Sequence, residues 1–521
     1  MTPSLELPAL LQSLATTLYC ACQAGLLVYS SHRWPLLLTR VPGAAAPPPW
    51  WTPGTEPRVL VQLPVRDEGV VGGRLVAAAA ALDWPADRLA IQLLDDSDDP
   101  AAVSAGERAV AAARARGIAA SHVRRAARTG FKAGALAHGL MLDDAAQGAA
   151  QGAAQGAAYV AVFDADFVPA SDFLRRLLPH FSDPRVGLVQ ARWGHLNRDA
   201  SALTRAQAVM LDAHLLVEHP WRQHTGRFLN FNGTAGVWRR SAIESAGGWS
   251  HDTLTEDLDL SYRAQLAGWR FVFDGSVVVP AELPESMSAL RSQQHRWAKG
   301  ALQTARKLLP RLLRSPLPWR VRLEAVVHLT ANAGYPLLLA LAVLLAPVLF
   351  ATNTLPLPWF VLLQALIVAC GTLPVALFLV RGQQHAGRSA REIMADVPAA
   401  LVLCAGLSWH VAGAVVAGLW GPTGEFVRTP KTGAVQDGVR RADGPRDATL
   451  VAGGGASSRR GVRAPQATPE LVLAAWFTLL ATSAVSADRP AAVPFLLVMG
   501  AGLAWVGLGT RAEPGPGATA G

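Results

Sequence analysis

The sequence has little cysteine, little aromatic side chain and little charge for its length. Its four cysteines, Cys20, Cys22, Cys370 and Cys404, all lie in apolar segments without metal-ligand spacing. That pattern excludes a disulfide framework and a zinc module, and leaves plain burial as their role. Charged residues are 16% of the 521 and hydrophobic residues 51%, more apolar than an ordinary soluble enzyme. The formal net charge is +9, yet no basic array interleaved with aromatics accompanies it, so nucleic acid is not an expected partner. No Arg or Lys precedes Arg33, so the first apolar stretch lacks the basic leader of a secretory signal peptide. Nothing in the chain reads as a domain for a regulatory nucleotide.

What is present is sorted along the chain. Apolar runs long enough to span a bilayer are expected at Leu7–Tyr29, Ala325–Phe350, Trp359–Val380, Leu471–Ser486 and Ala491–Leu508. The stretch Val397–Trp420 is apolar but interrupted by Gly406, His410, Gly413 and Gly418. A single crossing there would export the basic segment that follows, so a re-entrant hairpin bent near Gly406–Gly413 is expected, with one ordinary span as the alternative. Arg33, Arg40 and the basic Arg381–Arg391 loop put the polar middle on the cytoplasmic side. The expected organisation is an N-terminal span (1–41), a Pro- and Gly-rich linker (42–57), a globular domain ending in an interface helix (58–310), a membrane region (311–420), a loop with a basic linker (421–468), an apolar hairpin (469–510) and a tail (511–521). Residues 145–158 repeat Ala-Ala-Gln-Gly and carry no assigned function.

Within the globular part, apolar runs at 58–65, 89–94, 159–162 and 186–191 alternate with Ala-rich helical stretches. This predicts an α/β domain with a parallel sheet wrapped by helices. Acids follow the strands: Asp95, Asp96, Asp98 and Asp99, with Ser97 among them, after the second, and Asp164 and Asp166 after Tyr159–Val162. Alternate strand residues point the same way, so Asp164 and Asp166 can face one spot at a strand end, where open α/β sheets place ligands. Two hard oxygen ligands beside a diphosphate suit Mg²⁺ or Mn²⁺. Lys132, at a Gly-punctuated loop-to-helix junction, is a candidate diphosphate contact. Thr255 is placed to cap a helix opening with Glu256, Asp257 and Asp259, and a carboxylate held there can serve as a general base. Gln293, Arg296 and Trp297 share one helical face, Arg suited to a leaving diphosphate and Trp to stacking on a sugar, although interface helices also favour both types.

In this order the motifs resemble the membrane-bound processive glycosyltransferases of family two: Asp95-Asp96, Asp164-x-Asp166, Thr255-Glu256-Asp257 and Gln293-x-x-Arg296-Trp297. The wording of 231–236, 252–263 and 296–300 is most similar to the cellulose-synthase-like group that includes mannan and glucomannan synthases. Phe426-x-Arg428-Thr429-Pro430-Lys431 looks like the gating-loop motif of cellulose synthases, with Arg428 where Val is commoner. The resemblance implies a GT-A fold, Rossmann-like, between transmembrane helices of the inner (plasma) membrane. It implies an inverting hexosyltransferase drawing on a UDP- or GDP-sugar, GDP-mannose or UDP-glucose, and lengthening a β-linked polysaccharide coupled to translocation. Accessory subunits are compatible with it. Asp95 and Asp96 would contact base and ribose, Lys132 and Arg296 the diphosphate, and Asp164 and Asp166 the metal. Asp257 would be the base, Glu256, Gln293 and Trp297 would bind the acceptor, and Phe426, Arg428, Thr429 and Lys431 would form the gate. A non-processive transferase acting on a lipid acceptor, similar to ceramide glucosyltransferases, is the alternative.

Overall fold

The computed structural model describes residues 6–43, 47–151, 156–349, 367–422, 424, 467–486 and 489–513. Helix α1 (Glu6–Ser31) precedes an alternating run: β1 (Val59–Val65), α2 (Gly69–Ala79), β2 (Leu89–Asp95), α3 (Pro100–Ala115), β3 (Ala119–Arg124), α4 (Phe131–Gln151) and β4 (Tyr159–Val162). Then come β5 (Val186–His195), α5 (Ala202–Ala213), β6 (Gly236–Arg239), α6 (Glu256–Leu266), β7 (Arg270–Ala281) and the long α7 (Met287–Leu313).

The seven strands form one sheet in the order β3-β2-β1-β4-β6-β5-β7. The apolar runs of β1 and β4 occupy its middle, and all four residues of β4 are buried, as a strand covered by helices on both faces requires. One face packs Val61 and Leu63 with Leu75 and Val76 of α2. The other packs Leu60 and Val160 with Leu136 and Leu140 of α4. The expected all-parallel sheet is mixed: β6 runs antiparallel to both β4 and β5. The reason lies in the loop before it. Residues 232–235 cross the sheet edge where β4 ends, held by Gln190, whose Oε1 accepts from Asn232 N at 3.1 Å and whose Nε2 donates to Thr234 O at 3.0 Å. A strand entering from that edge has to run back against its neighbours.

Beyond α7 the chain forms α8 (Trp319–Thr330), α9 (Gly334–Leu349), α10 (Leu373–His385), α11 (Ala390–Gly406), α12 (Ser408–Trp420), α13 (Thr468–Ser486) and α14 (Val493–Ala512). Among the described residues, four helical stretches are long and apolar enough to cross a membrane: Leu10–Leu38, Trp319–Val348, Thr468–Ser486 and Pro490–Ala512. The first part of the span expected at 359–380 lies outside the described residues. The interrupted stretch 397–420 is the pair α11 and α12, bent by 51°. That bend, at Leu407, makes the pair a broken span or a re-entrant loop. Close helix approach explains Gly406 beside the bend: a Cβ there would lie 2.1 Å from Gly502 O of α14, the small-residue contact that apolar helices need to pack.

Candidate active site

The C-terminal ends of β1, β2 and β4, the 232–235 loop, the start of α6 and one face of α7 enclose a cavity of about 210 Å³. Its lining includes Asp96, Lys132, Asp164, Asp166, Glu256, Asp257, Gln293, Arg296 and Trp297. These positions span two hundred residues of chain, and sheet topology brings them to one edge.

Asp164 and Asp166 follow β4 directly. The Asp164 backbone N–H donates to Thr234 Oγ1 at 2.8 Å, and its Oδ1 meets Lys132 Nζ at 2.5 Å. Asp166 is buried and accepts from Glu282 N at 3.2 Å. Lys132 opens α4 after Gly130 and Phe131, whose φ angles are +75° and +50°. It also donates to Gly233 O at 2.8 Å and stands 4.0 Å from Glu256 Oε1. Burial works against its charge, but Asp164, Glu256 and Asp257 together hold the ammonium above its ordinary value. The non-glycine residues with positive φ among those described are Asp67, Phe131 and Ala235. All three lie at this edge, where strained backbone concentrates in proteins that bind and react.

Thr255 stands at the N-cap of α6, but its hydroxyl makes no capping hydrogen bond; Oγ1 instead faces Thr304 Oγ1 of α7 at 3.4 Å. Its expected capping role is corrected accordingly: α7 has taken the hydroxyl. Gln303 Oε1 of α7 accepts from Leu254 N at 3.0 Å, and Gly300 packs so tightly that a Cβ would come within 2.6 Å of Thr255 Cγ2. This docking sets Gln293, Arg296 and Trp297 beside Glu256 and Asp257. Asp257 is half-buried, and its Oδ1 accepts from Leu258 N at 2.8 Å. Burial and the neighbouring Glu256 carboxylate push its carboxyl up to about 7, against the pull of Lys132. Burial lowers the Arg296 guanidinium, and Glu256, Asp164 and Asp257 oppose that.

Gly233 holds this arrangement open. Its φ is +83°, and a Cβ there would sit 2.8 Å from Asp257 Oδ2 and 3.5 Å from Lys132 Nζ.

The structure separates one expected pair. Asp96 lines the cavity and takes a two-point guanidinium contact from Arg125, at 3.0 and 2.5 Å. Asp95 does not line it. Its carboxylate is buried on the opposite side of β2, 2.7 Å from His122 Nε2 and accepting from Ser97 N at 2.9 Å. Asp95 also holds the 95–97 turn. Phe426, Arg428, Thr429 and Lys431 lie outside the described residues. Sequence reasoning missed Arg66, Arg128, Trp193, His195, Asn232 and Glu282, which also line the cavity. Arg66 and Arg128 share Asp98, at 3.6 and 2.7 Å. The Asn232-Gly233 dipeptide was the available signal for the loop, since it favours turns with positive φ. His195, a polar residue ending a strand, carried none.

Residues 159–379 match the family model described as Glycosyl transferase family group 2. Those residues are similar to a family 2 glycosyltransferase domain. It is 42% identical over 260 residues to glucomannan 4-beta-mannosyltransferase 2 of Arabidopsis thaliana, covering 50% of this chain and 47% of that protein. It is 43% identical over 253 residues to probable glucomannan 4-beta-mannosyltransferase 3 of Oryza sativa subsp. japonica, covering 48% and 44%. The chain thus spans about half the length of the curated relatives it matches. Its fold is similar to that of a mannosyltransferase of Pyrobaculum calidifontis solved in complex with GDP-Man and Mn²⁺. The TM-score is 0.50 at 20% identity, over 79% of this chain and 99% of that one. The fold of this chain is therefore GT-A-like, a mixed sheet with helices on both faces.

Proposed function

We propose that the chain is an inverting hexosyltransferase that moves mannose from GDP-mannose to a growing β-linked polysaccharide. The observation that carries this reading is Asp257. Its carboxyl, pushed up to about 7, shares one cavity with the cations Lys132 and Arg296 and with Gln293 and Trp297. Such a carboxylate is a general base matched to neutral pH. The acceptor hydroxyl oxygen attacks the anomeric carbon, Asp257 takes its proton, and the bond from that carbon to the diphosphate oxygen breaks on the opposite face. Lys132 and Arg296 stabilise the charge that develops on the departing diphosphate. Trp297 gives the acceptor sugar an apolar face and Gln293 a hydrogen-bonding one. The curated relatives are named as glucomannan 4-beta-mannosyltransferases, and the archaeal neighbour holds GDP-Man; both favour mannose over glucose.

Asp164 and Asp166 fit a divalent cation. Among the described residues no third His, Cys, Asp or Glu completes a protein-only cluster. Two carboxylates leave the remaining positions to diphosphate oxygens and water, which is how Mg²⁺ and Mn²⁺ bind nucleotides. The 2.5 Å contact of Lys132 with Asp164 marks the same spot as one that attracts positive charge. Bound there, the cation would supply neutralisation of the leaving diphosphate. The apolar helices seat the protein in a membrane, with the basic loops and the catalytic domain on the cytoplasmic side. Transfer of labelled mannose by purified membranes, lost in Asp257→Asn, tests the reading; transfer that persists in the variant would refute it.

A further inference from the structure

His195 ends β5 and lines the cavity that Gln293 and Trp297 also line. Its Nε2 lies 3.1 Å from Asp212 Oδ1 of α5. Burial raises the Asp212 carboxyl, but His195, Gln383 and Arg192 together hold it below the usual carboxylate range. Asp212 is thus an acceptor only, which makes His195 Nε2 the donor; in the neutral ring the other nitrogen is an acceptor. Nδ1 then carries a lone pair, and among the described residues it has no partner. Two residues earlier on the same strand face, Trp193 packs edge-on to Phe167, ring centroids 5.3 Å apart. Its Nε1 is buried without an acceptor among the described residues. The His195 ring is therefore the group of this wall that can meet a ligand with hydroxyls.

The orientation of His195 is set from far away in the chain. Gln383 of α10, fully buried, donates to Asp212 Oδ2 at 2.9 Å and accepts from Arg198 Nη2 at 3.2 Å. Arg198 in turn donates to Asp396 Oδ2 of α11 at 2.8 Å, and Arg205 to Asp396 Oδ1 at 3.1 Å. The chain of contacts from His195 to Asp396 is continuous, and it holds the imidazole toward Asp212.

We propose that His195 binds the acceptor sugar through Nδ1, accepting a hydrogen bond from one of its hydroxyls, with Asp212 and Gln383 as positioning residues. Helices outside the sheet then help to register the acceptor against Asp257. The inference rests on the transferase reading above. Its test measures KM separately for donor and acceptor in detergent-solubilised full-length protein, with GDP-mannose and short β-1,4-linked mannan oligosaccharides. His195→Ala raises the acceptor KM about tenfold, the worth of one hydrogen bond to a hydroxyl, and moves the donor KM less than about twofold. His195→Gln, whose Oε1 can accept, recovers part of the loss. Gln383→Leu shows the same split at about threefold. An acceptor KM indifferent to His195, or a donor KM that rises in step with it, would overturn the proposal. A wild type that transfers to none of these acceptors would overturn the transferase reading and this inference with it, a result distinct from an active enzyme indifferent to His195.

Discussion

Arg291 and Glu470 form a buried ion pair with Nη2 and Oε1 2.7 Å apart. Arg291 sits on α7, two residues before Gln293, and Glu470 on α13, so the helix carrying Gln293, Arg296 and Trp297 is pinned to the apolar C-terminal hairpin. Arg291 also donates to Thr510 Oγ1 of α14 at 3.0 Å. A pair this buried contributes little net stability when intact but costs heavily when one partner is removed. Glu470→Ala is expected to destabilise by about 3–5 kcal/mol, seen as a lower thermal unfolding midpoint in detergent. The double variant Arg291→Met with Glu470→Leu recovers most of it. A midpoint unchanged in the single variant would show that the pair does not tie the two parts together.

Asp257→Asn removes the proposed base and keeps the shape. Transfer falls by about 10²–10⁴-fold. Stability moves the other way. The folded-state carboxyl is raised from 3.8 to about 7, so its stabilising contribution is complete below its unfolded value and is lost as pH rises through 7. Above that the ionised group is a burden of order 2–4 kcal/mol that the amide does not carry. The variant's unfolding midpoint at pH 8 should exceed that of the wild type, and a lower one would contradict the raised carboxyl.

The same carboxyl sets the acid limb of activity. If Asp257 is the base, only its ionised form can take the acceptor proton, so kcat/KM is expected to climb with pH and level off above about 7. A limb near the ordinary carboxylate value would mean that another group is the base, or that Asp257 is ionised in the working enzyme.

Gly233→Ala introduces a Cβ 2.8 Å from Asp257 Oδ2, on a residue with φ of +83°. Strain of about 1–3 kcal/mol falls on the loop that also supplies Thr234 to Asp164. Transfer is expected to drop at least tenfold while circular dichroism stays native. Full activity would show that the loop yields without disturbing the base.

Chelation tests the paired aspartates. Treatment with a chelator should abolish transfer, and Mg²⁺ or Mn²⁺ should restore it in the wild type but not in Asp164→Asn or Asp166→Asn. Undiminished transfer in excess chelator would remove the metal from the account.

Much of the site was legible because strand and helix periods are simple. Tyr159–Val162 is an apolar run at the centre of the sheet, so the acids after it had to emerge at the edge. Gln293, Arg296 and Trp297 share a face at helical spacing, and that face lines the cavity. The same rule, applied more strictly, would have separated Asp95 from Asp96, since consecutive strand residues point to opposite faces. Other features depend on tertiary placement that no local pattern encodes. The reversal of β6 follows from where Gln190 anchors the 232–235 loop. The loss of the Thr255 cap follows from how closely Gly300 lets α7 approach. The link from His195 to Asp396 joins residues two hundred positions apart.

The central claim is the reaction itself, and the most direct measurement is transfer of labelled sugar. Membranes containing the wild type or Asp257→Asn would be supplied with Mg²⁺ or Mn²⁺ and, in turn, GDP-mannose, UDP-glucose and UDP-N-acetylglucosamine, and the product scored for size and extraction into organic solvent. The account predicts a long, solvent-insoluble polymer from GDP-mannose, made by the wild type and absent with the variant. Product from the variant at the wild-type rate, or only a short solvent-extractable glycolipid from the wild type, would contradict it.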